Sequence, residues 1–156
     1  MILHSGCEEQ APVYKSKYVL GDVYRAYEAV EVDFIGLTEV VWHGDTRESA
    51  RVTAYLDLID NFGSKIKSPG VFRFEIYEFV PRSSQPKGKR LQFWDDLDLT
   101  DPKENDRFWH DYLRAYKFEL ELSFFPKEGQ TFILMATCLT PNGRRLEDST
   151  QLTYHK

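Results

Sequence analysis

From Lys117 to Phe124 the chain reads Lys-Phe-Glu-Leu-Glu-Leu-Ser-Phe, with apolar side chains at every even position and polar ones at every odd position. A period of two gives one dry face and one wet face, as in a strand packed on a core along one side. The same alternation runs through Val30–Phe34, Val52–Leu58 and Phe72–Ile76, and Leu37–Trp42 continues the first of these after Gly36. Leu91–Trp94 starts a further strand and Thr150–Tyr154 forms the last. Phe132–Leu139 is apolar on both faces, which predicts a central strand.

Turn residues separate these runs. His43-Gly44-Asp45, Asp60–Ser64, Ser68-Pro69-Gly70 and Pro141-Asn142-Gly143 are turn signals, and Pro81–Lys89 is polar enough for an exposed hairpin loop. One helix is predicted, from Pro102 to Leu113. Asp101 is its N-cap, Pro102 takes the first helical position, and Glu104 is placed to close a capping box. About seven strands at this spacing, with hairpin connections and one short inserted helix, predict a mainly β protein. The expected fold is an antiparallel β-sandwich of immunoglobulin-like or transthyretin-like type. Residues 1–28 are taken as a flexible N-terminal tether, with 8–20 its clearest polar part, and 29–156 as the sandwich domain. No Cys…Trp…Cys pattern of antibody domains is present.

Composition sharpens this picture. A 156-residue chain that is 42% hydrophobic and 15% aromatic can build a core without disulfide or metal staples. Two cysteines are too few for a disulfide scaffold, and Cys138, on an apolar strand, is expected to act as a small buried hydrophobe. The net charge of −5 argues against a nucleic-acid partner. No segment has the ~20 consecutive apolar residues of a spanning helix.

The N-terminus carries a more specific signal. Leu3, Ser5 and Gly6 precede Cys7, and a polar stretch follows. This resembles the end of a bacterial lipoprotein signal peptide, in which the cysteine becomes the lipidated first residue. Only Ile2 and Leu3 stand in for the apolar stretch of about 7–15 residues that such a peptide needs. The alternative is a polar tail with a chance cysteine.

Chemistry is sparse. His4, His43, His110 and His155 are scattered with no partner at metal-ligand spacing, and no Gly-x-Ser-x-Gly or phosphate-binding glycine loop occurs. No cofactor is indicated. Asp57 and Asp60 flank one strand end, and Asp95, Asp96 and Asp98 follow Trp94. Two such loops resemble the calcium loops of C2-type domains, whose cation takes six to eight oxygens. Capping of turns and strand ends is the competing use of these aspartates. Lys87-Gly88-Lys89-Arg90 and Arg144-Arg145 are basic clusters at loop positions. They suit an anionic lipid or acidic partner, or serve as ordinary surface charge. Phe93, Trp94, Phe108, Trp109, Tyr112 and Tyr116 gather around the helix, for core packing or, where exposed, for a partner.

Taken together, Leu56, Asp60, Gly63, Lys67, Gly70, Phe72-Arg73-Phe74-Glu75, Trp94 and the Pro141-Asn142-Gly143-Arg144 turn resemble a family of small predicted bacterial lipoproteins of unassigned function. The resemblance implies a lipid-tethered β-sandwich in the cell envelope, with Cys7 as attachment site and another envelope protein as partner. The function expected on this basis is a non-enzymatic interaction module that touches the membrane only through its lipid. The alternative is a C2-like, calcium-dependent membrane-surface or protein-binding domain using the Asp60 and Asp95 loops.

Overall fold

The computed structural model describes residues 19–42 and 49–156, which form ten strands and two short helices. In chain order these are α1 (Leu20–Arg25), β1 (Ala29–Phe34), β2 (Glu39–Trp42), β3 (Ala50–Asp60), β4 (Val71–Phe79), β5 (Lys87–Phe93) and β6 (Leu97–Asp98). Then come α2 (Pro102–Phe108), β7 (Trp109–His110), β8 (Ala115–Glu121), β9 (Thr131–Leu139) and β10 (Arg145–Thr153).

Two antiparallel sheets face each other. The first runs β1-β3-β8-β7, with β2 continuing along the same edge of β3. The second runs β10-β9-β4-β5, with β6 continuing beyond β5 along β4. Taking β1–β2 and β5–β6 each as one broken strand and setting aside two-residue β7 leaves the seven long strands that the alternation predicted. The fold is a β-sandwich.

Its interior follows the period-two pattern. Val52, Ala54, Leu56, Leu58, Phe118 and Leu120 point inward from the first sheet, and Phe72, Phe74, Ile76, Phe132, Leu134 and Ala136 from the second. Phe118 is the keystone, with ring centroids 4.8 Å from Phe74, 5.2 Å from Phe72 and 5.4 Å from Phe108. Such tilted pairs contribute beyond their buried area. Cys138 lies in this core as a free thiol, and burial pushes its pKa up to about 12, so it stays protonated and inert.

Three local outcomes differ from the sequence pattern. The helix stops at Phe108, short of Leu113, because Trp109–His110 turn extended and pair with Ala115–Tyr116 as β7. The Trp109 ring then packs edge-on against Tyr116 at 5.1 Å. Asp101 caps α2 as predicted, accepting from the Lys103 and Glu104 amides, but the Glu104 carboxylate turns to Arg107. Finally, α1 lies within the stretch taken as a tether. Beyond it the Tyr27 ring meets Phe62 at 5.6 Å, in the loop after β3.

Candidate functional site

One end of the sandwich gathers the loops that carry most of the unusual surface. Here β3 ends and β4 begins, joined by residues 61–70; the Thr140–Arg144 turn follows β9, and α2 is hooked on by residues 99–101. A buried polar knot fixes these segments. Asn105 of α2, 5% exposed, donates from Nδ2 to the Ser68 and Leu99 carbonyls at 3.0 and 2.9 Å. The Tyr116 hydroxyl accepts from the Ser68 amide and lies 2.9 Å from both Asn105 Oδ1 and the Ser68 carbonyl. The hydroxyl has one proton and Ser68 O is already served by Asn105, so the assignment that satisfies every group is Tyr116 O–H to Asn105 Oδ1.

The knot holds Lys67-Ser68-Pro69 as a ridge between two clefts. The first, of about 510 Å³, has an apolar floor of Pro69, Leu99 and Pro102, with Lys103 and the Lys67–Asp106 ion pair at its rim. The second, of about 410 Å³, is walled by Tyr24, Tyr27, Pro69 and Pro141. Glu28 and Asn142, which bond each other, close one side. Beside it three aromatic rings stand out into solvent: Tyr24 is 64% exposed, Tyr27 60% and Phe62 67%. Rings so far out of the core gain little from folding, whereas burial against another surface would release ordered water from each. The clefts present rings, prolines, amides and lysines, a chemistry suited to holding a partner.

The other sequence candidates fall elsewhere. Asp57 binds Lys65 Nζ at 2.5 Å, and Asp60 Oδ1 accepts from the Phe62 and Ser64 amides at 2.8 and 2.9 Å. Asp96 forms a two-pronged pair with Arg73, whose hydrogen bonds hold its carboxyl below the usual range. Asp98 is held low by the Thr100 hydroxyl and amide. Asp60 thus closes a strand of the first sheet, while Asp95 lies with Arg73 and Arg90 along a cleft of the second. Among the described residues no three His, Cys, Asp or Glu side chains come together as a metal site requires.

Of the aromatic group, Phe108, Trp94 and Trp109 pack on the core and Tyr116 is buried within it, while Phe93 is 59% and Tyr112 98% exposed. His110 lies in β7 and His155 sits 3.2 Å from Glu128. The two basic clusters lie at opposite ends of β4, since Lys87 pairs with Phe79 and Arg145 lies opposite Leu139, itself opposite Val71. Cys7, His4 and His43 lie outside the described residues. Tyr24, Tyr27 and Phe62 were not candidates from the sequence. The only signal was three aromatics near loop residues, and proximity of residue 27 to residue 62 is not a local property.

Comparison with protein-family models, curated proteins and solved structures finds no match. The geometry of this end of the molecule therefore carries the functional reading. Among the described residues no helix is long and apolar enough to cross a membrane.

Proposed function

We propose that this chain is a non-enzymatic β-sandwich interaction module, tethered to the cell envelope by a lipid on Cys7, that docks another envelope protein on its aromatic end. The observation that carries the docking is that Tyr24 and Tyr27, which wall a cleft of about 410 Å³, and Phe62, whose ring meets Tyr27, are each more than half exposed. Tyrosines and other large rings dominate the energetics of protein interfaces, and a neighbouring pocket gives such an anchor specificity. The Leu3–Cys7 sequence supports the tether, and along the chain α1 comes between that sequence and Tyr27 of the aromatic end.

Two measurements test the two halves. The protein is expressed from its native locus with its upstream DNA, the cells are fractionated, and the intact mass of the mature chain is taken. A membrane-bound chain beginning at a diacylated Cys7 supports the tether; a soluble chain with unmodified Cys7 overturns it. For docking, a photo-crosslinking residue is placed at Tyr24 or Phe62, with Gln151 on the outer face of β10 as control. A discrete adduct from the first two, lost in a Tyr27→Ala variant, is the expected result. Equal labelling from all three positions would refute an aromatic docking end.

A further inference from the structure

The edge of the second sheet, alongside Glu75–Phe79 of β4, carries another surface with a different chemistry. β5 is the terminal strand of the second sheet, bonded through its backbone to β4 along one side. Between Glu78 and Asp95 the chain holds Arg82, Lys87, Lys89 and Arg90 and no acid, although its net charge is −5. Arg90 is engaged by Glu75 at 2.7 Å and covers the Phe93 ring at 5.0 Å, and Lys87 lies over Tyr77 at 4.9 Å. Lys89 and Arg82 are exposed and have no acidic partner among the described residues. A shallow cleft of about 400 Å³ runs along Arg90–Phe93, and Phe93 offers an exposed ring beside it.

The edge is also rigid. The Gln92 side chain donates to the Glu121 carbonyl at 2.9 Å and accepts from the Ser123 amide at 2.8 Å, while Trp94 Nε1 reaches the same Glu121 carbonyl at 2.7 Å. These bonds pin β5 to the end of β8 in the facing sheet. A pre-ordered edge loses little entropy when a strand is added. Its cations repel a second copy of the same edge, which is how natural sheets avoid self-pairing. The same cations favour an extended segment of opposite charge, which would gain main-chain hydrogen bonds and cross-strand charge pairs together.

We infer that β5 is a docking edge that accepts an extended acidic segment of a partner protein as an added strand. This inference is independent of the aromatic end: Phe93 and Arg90 lie opposite Glu75 and Tyr77, four and six residues along β4 from Val71, or about 13–20 Å at ~3.3 Å per residue. The test uses the full-length chain, isotope-labelled for NMR and titrated with an eight-residue peptide alternating Glu and Val. Expected are shifts and slowed exchange confined to Lys89–Phe93, an affinity that weakens with added salt, and a loss of about tenfold in an Arg82→Glu/Lys89→Glu variant that melts like the parent. A Glu-Val peptide N-methylated at every residue keeps the charge but has no N–H to donate to a ladder, and it should not bind. The inference is overturned if the Glu-Val peptide fails to bind at millimolar concentration. Equal binding of the N-methylated peptide, or uptake by phosphatidylglycerol vesicles alone, also overturns it.

Discussion

Two tyrosines buried to the same degree should answer the same substitution with opposite signs. Tyr116 is 0% and Tyr154 1% exposed, so Tyr→Phe removes one oxygen from a packed interior in each case. Tyr116 holds the polar knot. Its loss leaves the Ser68 amide and Asn105 Oδ1 without their partner. A buried orphan costs about 1–3 kcal/mol, and entry of water from the adjoining cleft should offset part of the two. Tyr116→Phe is therefore expected to cost about 2–3 kcal/mol, or roughly 6–12 °C in Tm for a domain of this size. The Tyr154 hydroxyl has no hydrogen-bond partner among the described residues. Tyr154→Phe removes an unsatisfied buried group and should be neutral or stabilising. Urea unfolding followed by circular dichroism measures both. In an Asn105→Ala background the cost of Tyr116→Phe should shrink, because one of the two orphans is already gone. Equal effects of the two Tyr→Phe changes, or a Tyr116→Phe cost below about 0.5 kcal/mol, would refute the claim that the knot fixes this end.

Two further outcomes follow from other contacts. Burial, then the charges of Glu31, Asp148 and Asp57, raise the pKa of Asp33, which lies directly across from Asp57 in the β1–β3 pairing. A carboxyl with a raised folded pKa disfavours folding above that pKa and is relieved as pH falls through it. Asp33→Asn should raise Tm at neutral pH, with the gain shrinking in acid; a gain independent of pH would contradict the electrostatic cause. A Cβ added at Gly70 would stand 2.7 Å from Cys138 Sγ and 3.3 Å from the Leu139 carbonyl. Gly70→Ala should therefore cost about 1–3 kcal/mol by overpacking, and clearly less in a Cys138→Ala background; additive costs would place the strain elsewhere.

The strands were legible because their signal is local. Alternation at Phe118-Glu119-Leu120 or Phe72-Arg73-Phe74 reports which side of the chain meets the core without reference to any partner. The cap at Asp101 was legible for the same reason, since its carboxylate serves amides two and three residues on. The helix end is not legible in the sequence because Trp109 continues a helical spacing of aromatics, and only the ladder to Tyr116 shows that it has left the helix. The pairings of Asp57 with Lys65 and of Asp96 with Arg73 are not legible in the sequence, because they depend on which strands lie side by side.

The sequence by itself therefore determined the class of fold, the core positions and the net charge, all of which depend on residue type and short spacing. Tertiary structure decided everything that makes a surface. The knot joins Ser68 to Tyr116 across 48 residues, and the aromatic end sets Tyr27 against Phe62. The basic run from Arg82 to Arg90 became a candidate docking edge only once β5 proved to be the outermost strand. Such pairings are chosen by chain topology and by competition among buried groups across the whole molecule. No local period in the sequence encodes them.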